Sequence, residues 1–292
     1  MNNLPSAIPG RKRIFSHRPQ RQSQRIKMTP TEALITTARR YCMDNHSYWA
    51  SRYSNEMSHN NNPYSDNDYN LFPRYNALAA ILLGVETFVG QTFTSIDNCK
   101  QELKQTGLTS QTPFTTGRQN DIERNAIQDE RNKFAKFIDS ITDSDLELVE
   151  ALPHRRKLKD EEAEQIRKQL LDTWNYDGSY WEPLENRSTK PTVFLMKEIV
   201  TKEDIEKIIQ IVSEKANKNI FEVSEDRNDY EIEIDSFSPD LYETICCDKS
   251  FDWVVYGSHE STIAFGGTWL IEKIRDIFSD RKEKLNLWER NW

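Results

Sequence analysis

Glycine is scarce in this chain, and what there is sits in the wrong places for nucleotide binding. Nine glycines in 292 residues, none spaced as G-x-G-x-x-G or G-x-x-x-x-G-K, give no dinucleotide or triphosphate cradle. The motifs H-E-x-x-H and G-x-S-x-G are absent too, which removes the common zinc-protease and serine-hydrolase signatures. Histidine is limited to five residues. The pair Glu56 and His59 matches the Glu-x-x-His step that places two ligands on one helix face, but a di-iron bundle needs a second copy and the sequence has none. We therefore read that stretch as a helix end entering an Asn-rich loop, and expect neither metal nor cofactor.

Cysteine is equally uninformative as a scaffold. The four residues Cys42, Cys99, Cys246 and Cys247 form no C-x-x-C, and a bond between the adjacent pair would be strained. A reducing compartment fits this usage. The longest apolar run, Ala77–Val85, is far below the roughly 20 residues of a membrane span. Residues 1–27 carry seven Lys/Arg and no acid, without the apolar stretch of a secretory signal. The chain thus reads as cytoplasmic, with residues 1–27 a flexible basic tail. Met28 stands directly before a helix start, so initiation there would lose no folded element. Setting the tail's seven positive charges aside takes the formal net charge from −8 to −15. Such a body repels phosphates, so a nucleic acid would be met through the tail or not at all.

What is present falls into two halves. From Thr31 to about Met57, Leu34, Ala38, Tyr41, Cys42, Tyr48, Trp49 and Tyr53 recur at three- and four-residue steps, one face of a helix. A second helix is expected from Pro73, a third capped by Ser95 and stopping at Gly107, a fourth over about Asp121–Ile141, and a short one capped by Thr142. After "PHRRK" a helix over Asp160–Trp174 leads into strand patterns at Thr192–Val200, in "NIFEVSE" and "YEIEID", at Trp253–Tyr256 and at Thr262–Phe265, with helices after Thr201 and Trp269. The expected fold class is α+β: a helical domain at 28–152, then at 153–292 a mixed, largely antiparallel sheet with its flanking helices on one side.

Three stretches qualify as sites. In "GSHES" the loop residues Ser258, His259 and Glu260 would make a small acid–base cluster for a hydrolase or transferase, although Gly257–Ser261 also reads as a plain hairpin turn. The "GGTW" helix start reads as close sheet–helix packing beside Asp252. The run Asn219–Asp248 holds ten acids against Arg227 alone. Within it, alternation aims Glu231, Glu233 and Asp235 outward as one stripe, either a solvated face or a dock for a basic protein. Finally, His154, Arg155 and Arg156 at the domain junction, joined by Arg74, would suit an anionic ligand in a groove. The reading that follows is binding rather than catalysis, by an acidic adaptor or an immunity-type neutralising partner of a basic protein.

Overall fold

The computed structural model describes residues 28–57, 64–117, 119–182, 190–216 and 218–287. The tail at 1–27 and His59 lie outside the described residues. No helix among those described is long and apolar enough to cross a membrane. The chain divides into two compact units, one running up to Val85 and over Gln91–Ala151, the other comprising Glu86–Gly90 and the chain from Leu152.

The first unit is helical: α1 (Pro30–Glu56), α2 (Asp66–Glu86, whose last residue belongs to the second unit), α3 (Ile96–Thr109), α4 (Pro113–Thr116), α5 (Asp121–Ser140) and α6 (Asp143–Leu146). Local signals set most of the ends. Thr29 and Glu32 form a reciprocal box at the head of α1, each side chain accepting the other's backbone N–H, with Pro30 in the first turn where no N–H is needed. The second helix starts before the expected Pro73. Asp68 accepts from the Ser65 amide and hydroxyl at 2.8 and 2.7 Å, which caps the chain seven residues earlier and leaves Pro73 inside the helix at the loss of one backbone bond. Gly107 does not stop α3 but lies within it, because a Cβ there would overlap the ring of Phe134 on α5. Leu34, Cys42, Leu78, Leu103, Phe134 and Ile138 are buried in this unit.

The second unit holds β1 (Arg155–Lys157), α7 (Asp160–Trp174), β2 (Thr192–Met196), α8 (Lys202–Lys215), β3 (Asn219–Ser224), β4 (Tyr230–Glu233), β5 (Thr244–Cys247), β6 (Val254–Gly257), β7 (Thr262–Gly266) and α9 (Thr268–Ile277). The seven strands among its described residues form one sheet in the order β1-β4-β3-β5-β6-β7-β2. Every pairing is antiparallel. The α+β class is as expected, and the Trp253–Tyr256 stretch is central. Two strands escape the sequence pattern. β1 is three consecutive cations, and β5 is buried at all four positions, so neither shows the alternation of a half-buried strand.

Helices cover both faces of the sheet, not one. On one face Ile166, Leu170 and Trp174 of α7 pack with Val223, Ile245, Val254, Tyr256 and Ala264. The period of two turns Val193, Leu195, Ile263 and Phe265 to the opposite face, where α9 packs on β2, β7 and α8. Gly266 is bare because Trp174 fills the space, a Cβ there falling 2.5 Å from the indole. Gly267, at φ +105°, turns the chain into α9 against the Asp252 carbonyl.

Asp204 ties α8 to the segment beyond α9. It accepts from the Thr201 amide at 2.9 Å and from both ends of the Arg281 guanidinium at 3.0 and 3.1 Å. Burial alone would raise its pKa, but Arg281 and Thr201 outweigh that and hold the carboxyl below its ordinary value. A depressed folded pKa stabilises the fold above the unfolded value and loses that contribution as pH falls through the folded one. Asp204→Asn should therefore lower stability by about 1–2 kcal/mol at pH 7, and its gap from wild type should close as pH drops below the ordinary value of 3.8. Urea titrations at pH 7 and pH 3 measure both. Val255, fully buried between β5 and β7, supplies a second test: Val255→Asp should yield no soluble protein, since an unpaired buried charge costs about 3–5 kcal/mol.

Candidate functional site

The β6–β7 hairpin turns over residues 258–261. Ser258 is its pin: 2% exposed, its hydroxyl lies 2.8 Å from the Thr262 hydroxyl and accepts the Glu260 amide at 3.1 Å. Gly257, at the end of β6, lets another segment come close. A Cβ there would overlap the Leu241 carbonyl, so the chain at 241–243 crosses tightly over the hairpin before entering β5. That crossing delivers Glu243, itself at φ +43°, to the turn.

Glu243 is 6% exposed and is bonded through both oxygens. Oε2 accepts the Tyr256 hydroxyl at 2.5 Å, while Oε1 accepts the His259 amide at 2.5 Å and lies 2.6 Å from His259 Nδ1. These contacts turn the Nδ1 edge of the imidazole toward Glu243 and leave the Nε2 edge facing away from it. Tyr256 in turn accepts the Trp181 amide at 3.2 Å. Burial first, and then the bond to Glu243, push the Tyr256 hydroxyl far above its usual pKa, so it remains a donor.

The imidazole is anchored at one edge and wet at the other. Its side chain is 47% exposed, and Nε2 lies 3.5 Å from Glu260 Oε1. The ring of Tyr180 stands 5.2 Å away and that of Tyr242 6.5 Å, both tilted to it. The Glu225 amide bonds the Glu243 carbonyl at 3.0 Å, which brings the β3–β4 turn to the same end of the sheet. A carboxylate-held imidazole has two chemical uses: to orient a general base, or to present a fixed hydrogen-bond acceptor. Ser258 points away from the first use, being bound to Thr262. Among the described residues no group of three or more His, Cys, Asp or Glu is placed to hold a metal ion.

The acidic stripe is largely occupied from within. β1 lies beside β4, with Arg156 opposite Glu231. Glu231 is held at 3.2 Å by both Arg156 and His154. Glu233 accepts the His154 amide at 3.4 Å and reaches toward Lys218 at 4.0 Å. Asp235 is exposed, but in the short 3-10 turn after the strand has ended. The basic residues of the junction are the other half of these pairs. Arg155 sits 3.6 Å over the Tyr230 ring and bonds Glu222 at 3.2 Å, with Glu86 at 3.6 Å. Arg156 forks onto Glu162 through two bonds of 2.7 Å. Arg74, in the helical unit, bonds Asp129 at 2.7 Å and Glu130 at 2.5 Å. All four are committed within their own unit.

Sequence reasoning reached His259 and Glu260 but missed Glu243, Tyr256 and Tyr180. Glu243 stands sixteen residues from His259 among ten acids, and only the pairing of β5 with β6 singles it out. Comparison with family models, with curated proteins and with solved structures found no match to this chain.

Glu243→Gln keeps the volume but sets an amide where three donors converge. It should cost about 1–3 kcal/mol, the usual penalty for unsatisfied buried donors, whereas Glu260→Gln should stay within about 0.5 kcal/mol as a surface change. Urea unfolding of both variants measures the contrast, and equal stabilities would show that Glu243 does not organise the turn.

Proposed function

We propose that this protein is a non-enzymatic, cytoplasmic binding module for a basic protein partner, an adaptor or a neutralising partner of the immunity type. Its contact face is the end of the sheet unit that carries Glu225, Tyr242, His259 and Glu260. The observation that supports this most is the half-exposed His259 ring pinned by a buried carboxylate. A side chain already ordered before contact loses little entropy on binding, and exposed aromatics beside it are the usual anchors of an interface. Tyr242, 55% exposed, is such an anchor. Glu225 and Asp226 in the β3–β4 turn are exposed as well, while Arg227 between that turn and α7 is taken by Glu164. The face therefore attracts cations, and a field of this sign speeds encounter and aligns a basic partner. Glu231 and Glu233 serve β1 in this reading, and Asp235 stands apart from the face. The four cysteines, all buried and free, accord with a reducing compartment.

A second reading has its own support. The Glu243–His259 bond is the arrangement that orients a general base, which would act here on a bound water instead of on Ser258.

Pull-down from host lysate followed by binding measurements with the purified partner separates the two. The double variant Glu225→Lys, Glu260→Lys should fold normally and lose at least about tenfold in affinity, and native binding should weaken as salt shortens screening to about 8 Å near physiological strength. Unchanged affinity in that variant would move the contact face elsewhere. Hydrolysis of ester or phosphodiester substrates that disappears in His259→Ala would favour the general base.

A further inference from the structure

We propose that residues 175–181 form a strap that couples the β3–β4 turn to the β6–β7 hairpin, so that the two acidic edges of the contact face order and loosen as one unit. This names a regulation of the face described above and rests on that reading. The strap leaves α7 at Asn175, whose φ of +53° ends the helix. A tight turn follows, in which Asp177 accepts the Ser179 amide at 3.0 Å. Two buried groups, the Arg167 guanidinium and the Tyr256 hydroxyl, hold the strap at its two ends.

Arg167 forks onto Asp229 at 2.6 and 2.7 Å and donates to the Ser224 carbonyl at 2.6 Å, which fixes both ends of the β3–β4 turn. Gly178, at φ +95°, lies against the same guanidinium, and a Cβ there would overlap Arg167 Nη1. At the other end, a backbone N–H can only donate. The Trp181 amide therefore takes a lone pair of the Tyr256 hydroxyl, 3.2 Å away, and the one hydrogen of that hydroxyl goes to Glu243 at 2.5 Å. Glu243 also accepts the His259 amide. The path from strap to hairpin thus runs through a single oxygen, and its directions hold whatever the charge of the imidazole. Tyr176 and Trp181, each 1% exposed, set their rings 6.1 and 5.7 Å from that of Tyr256, and Tyr180 is thereby placed 5.2 Å from His259. Buried groups linked in this way open together, because breaking one bond orphans the next donor along the path. A partner that orders the hairpin accordingly orders the turn that carries Glu225 and Asp226.

Amide hydrogen exchange of the full chain, followed by NMR without any partner, tests the coupling. Tyr256→Phe removes the shared oxygen and keeps the ring. The Trp181 and His259 amides should then both exchange at least about tenfold faster, while the amide of Val255 in the middle of β6 is unchanged. Gly178→Ala presses on Arg167 at the far end of the strap, and the His259 amide, bonded to neither residue, should exchange at least about fivefold faster. Acceleration of only one of the two amides in Tyr256→Phe, or an unchanged His259 amide in Gly178→Ala, would overturn the proposal. Equal acceleration that extends to Val255 would overturn it too, since that marks a weaker fold and not a coupled opening. The outcome is separable from that of the binding module. If the amides respond together but charge reversal at Glu225 and Glu260 leaves partner affinity intact, the coupling stands and the contact face lies elsewhere. If charge reversal abolishes binding while the amides respond separately, the face stands and the coupling falls.

Discussion

A carboxylate out of water must be met by hydrogen-bond donors, and at Glu243 that requirement binds three separate parts of the sheet unit together. Tyr256 comes from the middle of β6, His259 from the hairpin after it, and Glu243 itself from the residue before β5. Through Tyr256 the segment after α7 is drawn in as well, since its hydroxyl takes the Trp181 amide. Removing the carboxylate would leave the Tyr256 hydroxyl, the His259 amide and the imidazole Nδ1–H without acceptors. The same atoms that stabilise the turn thus determine which nitrogen of His259 faces the solvent.

Charge elsewhere is handled by the same economy of pairing. An acidic sheet needs cations, and β1 provides three in a row: Arg155 reaches Glu222 on one face, Arg156 reaches Glu231 and Glu162 on the other, and Lys157 bonds Asn228. Arg167 of α7 forks onto Asp229 with both partners buried. These pairs turn what looks in the sequence like an acidic stripe and a basic linker into one cross-strand array. Glu225 and Asp226 in the β3–β4 turn stay exposed outside that array, at the end of the sheet that also carries the β6–β7 hairpin. That is why the binding reading centres on His259 and its neighbours and not on β4.

Helix positions, the α+β class and the central place of Trp253–Tyr256 could all be read from the chain, because they rest on local features. Apolar residues at three- and four-residue steps mark α1, α5 and α7, and Ser95, Thr142 and Thr201 head their helices as their spacing indicates. Even the misplacements are local in origin: Pro73 and Gly107 are breakers by propensity, overruled by the Ser65–Asp68 cap and by the Phe134 ring. His259 and Glu260 stood out because histidine is rare here.

What only the tertiary structure decided is partnership. β1 carries no apolar pattern and exists as a strand because Glu222 and Glu231 lie across from its arginines. β5 becomes visible only once β3 and β6 flank it. Glu243 was one acid among ten until the overlap of Leu241 on Gly257 brought it under the hairpin. Period and capping act over a few residues and are written in the chain directly. Which carboxylate meets which donor depends on strand register and on a close backbone crossing, and those are fixed only when the whole sheet has packed.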